Sequence, residues 1–136
     1  MEKALELRTR QVGPWDMNTY ALVCPTTRHS VLIDPGADPD ALREMLAGTQ
    51  PQAIWVTHHH GDHIGALDEM RDRLGVPVMA HPLSDFGKTA RPADAPLSDG
   101  DALRVGQHTV RVDAAAEHYI PPILLFQLGQ IRHPPG

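Results

Sequence analysis

The 136-residue chain carries a single cysteine, Cys24. One thiol excludes an intramolecular disulfide framework and a cysteine-built zinc knuckle. Cys24 closes the apolar strand pattern Ala21-Leu22-Val23-Cys24, which points to a buried structural thiol rather than a nucleophile. Basic charge is also scarce: 12 Lys and Arg face 17 Asp and Glu, a net charge of −5. A nucleic-acid surface needs a basic stripe, so no nucleic-acid partner is expected. A small anionic substrate stays compatible, because bound cations would dominate the field around them. No apolar run approaches the ~20 residues that span a bilayer. The start, Met1-Glu2-Lys3-Ala4-Leu5-Glu6, is charged and lacks the apolar core of a secretory signal. These absences lead to the expectation of no membrane partner and a cytoplasmic location. No Ser or Cys lies in a G-x-S-x-G or similar context, so covalent catalysis by a side chain is not expected.

What is present reads as one domain, residues 1–136, long enough for a sizeable core. Leu5 to Val12 alternates Leu5, Leu7 and Thr9 against Glu6, Arg8 and Arg10, the mark of a half-buried strand. Strands over 19–24 and 30–33 complete an antiparallel meander. Asp38-Pro39 opens a helix, with Asp38 as N-cap and Pro39 in first position; Gly48 stops it. A buried strand over 53–56, a helix over 64–74 stopped by Gly75, and a strand over 76–80 give the alternating rhythm of an α/β fold. A short helix over 84–88, a hairpin around Gly106-Gln107, and an apolar strand over 123–126 follow. Residues 130–136, with Pro134-Pro135, read as a flexible tail.

The chemistry concentrates in Thr57-His58-His59-His60-Gly61-Asp62-His63, between a buried strand and a helix. In open α/β sheets ligands bind at the carboxyl ends of strands. His58 and His60 are two apart, so in extended chain they point the same way, while His59 points the other way. Gly61 permits a sharp bend, after which Asp62 and His63 face a neighbouring position. The H-x-H-x-D-H spacing thus implies two adjacent cations, one on His58 and His60, the other on Asp62 and His63. Zn²⁺ accepts imidazole and carboxylate together and is the first choice, at one or two per chain; iron and manganese are the alternatives.

With this loop the sequence resembles the metallo-β-lactamase superfamily, within it the hydroxyacylglutathione hydrolase (glyoxalase II)-like branch. The other matching pieces are Val12-Gly13-Pro14-Trp15 followed by Asn18-Thr19-Tyr20, then Val31-Leu32-Ile33-Asp34-Pro35-Gly36, then Val78-Met79-Ala80-His81-Pro82. The resemblance implies an αββα sandwich. Its N-terminal half, a mixed sheet with flanking helices, is the part this chain matches. It implies that Asp34 stands behind the metal loop, holding a ligand imidazole in the right tautomer, and that His81 lies near the pocket rim. A turn Asp before Pro, and a strand-end His capping its loop, are the plainer readings of those two residues.

Relatives carry a Thr-Pro-Gly-His-Thr-Pro-Gly-Ser segment where this chain reads Ala115-Ala116-Glu117-His118-Tyr119-Ile120-Pro121-Pro122. Only the His survives, which makes His118 the implied third ligand of the first cation. Glu117 and Pro121 replace glycines and restrict the backbone there. Relatives also use a later Asp that bridges the two metals, yet no Asp follows Asp113. For a last ligating His, the tail offers only His133. The expectation is therefore a truncated superfamily domain, its second half missing or supplied by oligomerisation. A homo-oligomer covering the open sheet edge or face follows.

The function expected is a metal-dependent hydrolase using a metal-activated water oriented by Asp62. Phosphodiester or (thio)ester small molecules are its substrates in a permissive, open site. A hydroxyacylglutathione-type thioesterase is the alternative within that class. A catalytically idle metal-binding or assembly remnant is the alternative from another.

Overall fold

Residues 53–56 show how the molecule is layered. Ile54 and Val56 pack on one side among helical residues, while Ala53 and Trp55 pack on the other. Alternate residues of a strand point to opposite faces, so an uninterrupted apolar run belongs to a strand buried on both faces. The computed structural model describes residues 4–14, 17–57, 64–87, 90–114 and 124–132. It contains β1 (Leu5–Val12), β2 (Met17–Val23), β3 (His29–Ile33), α1 (Pro39–Met45), β4 (Gln50–Trp55), α2 (Leu67–Leu74) and β5 (Val78–Ala80). Then come β6 (Ala95–Pro96), β7 (Ala102–Val105), β8 (His108–Ala114), β9 (Leu124–Gln127) and β10 (Ile131–Arg132).

A seven-stranded mixed sheet has the order β10-β1-β2-β3-β4-β5-β6, and a three-stranded antiparallel sheet the order β7-β8-β9. The meander β1-β2-β3 is antiparallel. From β3 onward the large sheet is parallel, with β4 and β5 added in turn. Chain must cross back between parallel strands; α1 does so between β3 and β4, and α2 between β4 and β5. Leu42, Met45, Leu67 and Met70 of the helices cover Leu32 and Ile54. On the opposite face Leu5, Leu22, Val31 and Trp55 meet Val110, Val112 and Leu124 of the small sheet. Trp55 and Phe126 stack with ring centroids 4.9 Å apart at 39°, worth about 1 kcal/mol beyond the area they bury. The described residues thus form a helix layer on two sheets, the α/β character read from the sequence. Among them, no helix is long and apolar enough to cross a membrane.

Several local readings change. Asp38 does precede α1, but in a left-handed conformation (φ +54°), and its side chain does not cap the helix. Its Oδ2 instead accepts the Gly13 amide at 2.9 Å, tying the turn after β1 to the start of α1. Ile64 is helical, but Gly65 and Ala66 form a turn and α2 itself begins at Leu67; Gly75 ends it with φ +64° and its amide on the Arg71 carbonyl at 2.9 Å. Residues 84–87 are not helical; Asp85 Oδ1 accepts the Gly87 amide at 2.8 Å, a local turn that competes with helix. Glu6, read as wet, is buried, with Arg8 Nη2 3.2 Å away. Ile131–Arg132 pair in parallel with β1 where a fraying tail is expected; residues 133–136 lie outside the described residues.

Candidate functional site

The parallel register puts Asp34, Thr57 and His81 on one edge of the large sheet. Ile33 pairs with Trp55, and Trp55 with Met79, so the residues just past β3, β4 and β5 emerge together at the carboxyl ends of those strands. That edge is where open α/β sheets bind ligands.

Residues 58–63 lie outside the described residues, but both ends of that segment are fixed. On the near side, Asp34 Oδ1 accepts the Thr57 amide at 2.7 Å, and its Oδ2 accepts the Thr57 hydroxyl. The Thr57 carbonyl accepts the Leu124 amide at 3.1 Å, joining the same residue to the small sheet. On the far side, the Ala66 amide donates to the Pro35 carbonyl at 2.9 Å. The chain therefore leaves the sheet at Asp34 and returns at Pro35, its neighbour. Eight residues, 58–65, separate these two anchors in sequence.

Asp34 is itself held in place. It is 5% exposed and adopts φ +55°, a left-handed conformation that Asp tolerates better than most residues. Its amide donates to the Trp55 carbonyl at 3.0 Å, and its carbonyl accepts the hydroxyl of the fully buried Thr19 at 2.8 Å. The same hydroxyl receives the Gly36 amide at 3.4 Å. Thr57 and Thr19 were visible in the motifs, but nothing in the spacing assigned them a role. Their hydroxyls act on partners 23 and 15–17 residues away, which local pattern does not reveal.

His81 stands two strands from Asp34 along the sheet, roughly 10 Å by strand spacing. Its Nδ1 accepts the Leu83 amide at 3.1 Å, so this ring shapes its own turn as the plainer reading has it. Arg91 is paired along α2. Its guanidinium lies on Asp68 at 3.3 Å and Asp72 at 2.6 Å of α2. Cys24 is fully buried. Burial pushes its thiol up, but hydrogen bonds from the Gln107, Thr27 and Thr26 backbone and the Thr27 side chain outweigh that and hold it below its ordinary value. With no access from solvent it is a packing residue.

The proposed ligands His58, His60, Asp62, His63 and His118, and the tail candidate His133, lie outside the described residues. Among the described residues, no group of three His, Cys, Asp or Glu gathers to hold a metal. The fit to a metal rests on donor chemistry. His58, His60, His63 and Asp62 fall within one loop, whose ends the structure pins at the sheet's carboxyl edge. Imidazole with carboxylate suits a borderline divalent cation.

Between the sheets, beside this edge, lies a trough of about 470 Å³. Leu7, Tyr20, Leu22 and Ile33 floor it, and Leu125, Phe126 and Leu128 form its wall. Asn18, Asp34 and Thr57 also line it. Tyr20 pairs with Ile33, so Asn18 falls at the same end as Asp34 and Thr57.

The metallo-β-lactamase superfamily signature matches residues 12–133. The chain belongs to that superfamily. It is 32% identical over 139 residues to the probable metallo-hydrolase YqgX of Bacillus subtilis (strain 168), with 97% of this chain and 63% of that protein covered. It is 29% identical over 110 residues to a hydroxyacylglutathione hydrolase of Yersinia enterocolitica serotype O:8 / biotype 1B (strain NCTC 13174 / 8081), covering 80% of this chain and 43% of that enzyme. The crystal structure of TTHA1623 in a di-iron-bound form superposes with a TM-score of 0.72 at 29% identity, over 89% of this chain and 66% of that one. The chain thus spans between 43% and 66% of the length of these three proteins. Members of this family bind metal ions, which agrees with the composition of the His loop.

Proposed function

We propose that the chain carries the metal site of a hydrolase acting on phosphodiester or (thio)ester small molecules. The observation behind this reading is the H-x-H-x-D-H loop, anchored at Thr57 to Asp34 and at Ala66 to Pro35. His58, His60 and His118 would hold one cation; Asp62 and His63 would hold a second. Zn²⁺ fits these donors, and the di-iron form of a relative makes iron the first alternative. When bound, the metal supplies Lewis acidity, which brings the pKa of water toward neutrality and polarises a carbonyl or phosphoryl oxygen.

The chain's own residues do the rest. The Asp62 carboxylate orients the attacking water. Asp34 holds Thr57 and thereby fixes where the His loop begins. The hydroxyacylglutathione hydrolase among the relatives supports the ester side of the phosphodiester–(thio)ester pair.

The test is metal content, measured together with turnover of a phosphodiester, a thioester and an activated ester. One to two equivalents of metal, with turnover lost in His60→Ala, is the expected result. Stoichiometric metal with no turnover of any substrate would instead identify a metal-binding module without catalysis.

A further inference from the structure

We infer that Thr19 is a positioning residue for the metal loop: its one buried hydroxyl clamps the turn to which both ends of the loop are anchored. The inference rests on the reading of residues 58–63 as metal ligands, but the clamp itself consists of described residues. Both anchors belong to the turn Asp34-Pro35-Gly36. The Asp34 carboxylate takes the Thr57 amide and hydroxyl, and the Pro35 carbonyl takes the Ala66 amide at 2.9 Å. Thr19 brackets that turn. Its Oγ1 donates to the Asp34 carbonyl at 2.8 Å and receives the Gly36 amide at 3.4 Å. One oxygen thus spans Pro35 from both sides and fixes Asp34 and Pro35 relative to each other.

The turn needs such a partner. Asp34 has φ +55°, so the backbone leaves the extended course of β3, and the β2–β3 ladder ends at Tyr20 and Ile33. Asp34, Pro35 and Gly36 are all buried, where backbone N–H and C=O groups require partners. A hydroxyl donates once and accepts at the same time, which lets one side chain satisfy a carbonyl and an amide two residues apart. Valine fills nearly the same space and leaves both unpaired. Thr19 is fully buried and pairs with Arg10 of β1, so the sheet rather than the loop sets where the hydroxyl stands. Without that hydroxyl, the Asp34 carboxylate and the Pro35 carbonyl lose their fixed separation. The two ends of the loop then move independently, and a metal site whose supports are loose loses affinity.

The test compares Thr19→Val, Thr19→Ala, Thr19→Ser and Val110→Ala with the parent chain. Val110 is fully buried against the small sheet, so its truncation lowers stability without touching the turn. Competition against a chromophoric chelator reads Zn²⁺ affinity. Hydrogen exchange of the Thr57 and Ala66 amides is read against that of Ile54, whose amide donates to the Pro77 carbonyl at 2.9 Å. Thr19→Val should weaken Zn²⁺ binding about tenfold or more, and its Thr57 and Ala66 amides should exchange about tenfold faster relative to Ile54. Thr19→Ala removes the hydroxyl without setting a methyl against the Asp34 carbonyl and should behave as Thr19→Val does. Thr19→Ser keeps the hydroxyl and should bind within about threefold of the parent. Val110→Ala should bind like the parent and speed all three amides together. Parent affinity in both hydroxyl-free variants overturns the inference. So does a Thr19→Ser variant that loses as much as Thr19→Val, or a Val110→Ala variant that loses zinc to the same degree, since general stability is then the cause. A parent chain that takes up no Zn²⁺ overturns the metal reading instead; the two amides then decide the clamp, and unchanged exchange in Thr19→Val overturns it.

Discussion

Asp34 and Thr57 are joined twice: one carboxylate oxygen takes the Thr57 amide at 2.7 Å and the other takes its hydroxyl. Thr57 immediately precedes His58. The pair therefore sets the position and direction from which the first candidate ligand departs. Charge-assisted hydrogen bonds contribute about 1.5–3 kcal/mol each, and Asp34 also has to hold φ +55°.

Asp34→Ala removes both acceptors and tolerates the left-handed backbone poorly. It should lower unfolding free energy by about 3 kcal/mol and weaken Zn²⁺ binding about tenfold or more. Asp34→Asn retains one carbonyl acceptor and the conformational tolerance, so it should lose less than half as much of each. Urea unfolding and competition against a chromophoric chelator read the two effects. Equal zinc affinity in Asp34→Ala and the parent chain would disconnect this carboxylate from the loop.

The strands and helices were legible because their signals are local. Ala53-Ile54-Trp55-Val56 announces a doubly buried strand, and Gly75 announces the end of α2. What depends on partners far along the chain was not. Glu6 alternates like a solvent residue, yet it is buried next to Arg8. Asp38 sits at a helix start but spends its carboxylate on Gly13, 25 residues away. Ile131 and Arg132 sit in a Pro-rich tail but find the open edge of β1. The site shows the same division. Its candidate ligands come from spacing alone and lie outside the described residues, while the Asp34–Thr57 and Pro35–Ala66 anchors needed the sheet register.

Gly106 marks a close approach that the hairpin signal alone does not reveal. It has φ +57°, and a Cβ added there would fall within contact distance of Thr27 Oγ1 and 2.7 Å from Cys24 Sγ. Cys24 is fully buried and Thr27 half-buried. Gly106→Ala should cost about 3 kcal/mol through overpacking and backbone strain together. Gly100 has φ +87° with open space around its missing Cβ. Gly100→Ala should therefore cost only the backbone part, about 1 kcal/mol. Denaturant midpoints of the two variants compare them directly, and equal shifts would mean that the Cys24 contact yields.

Arg71 stitches the segment after β5 to α2. Its Nη2 donates to the Pro92 carbonyl at 2.8 Å and its Nη1 to the Arg91 carbonyl at 3.3 Å, with Asp68 3.3 Å away. The side chain is buried, so its loss leaves a cavity and removes both hydrogen bonds to the 91–92 segment. Arg71→Met should destabilise by about 2–4 kcal/mol. Arg71→Lys should recover less than half, because a single ammonium cannot reproduce the planar fork. Unfolding in urea measures both, and full recovery by Lys would show that charge alone matters here.

Metal removal separates a structural loop from a metal centre. If the His loop binds a cation in the folded state alone, free metal at a hundredfold of its dissociation constant stabilises the fold by about 2.7 kcal/mol. For a chain of this length that corresponds to roughly 8 °C or more in Tm. Adding a strong chelator to metal-loaded protein should lower Tm by that amount. His58→Ala and His60→Ala should have the lower Tm from the outset and respond much less to chelator, keeping only what the Asp62–His63 site contributes. His81→Ala should respond like the parent chain, because its Nδ1 is taken by the Leu83 amide and its turn is separate from the loop anchored at Asp34. A chelator shift that survives in His60→Ala but disappears in His81→Ala would move the cation two strands along the sheet edge and away from the H-x-H-x-D-H loop.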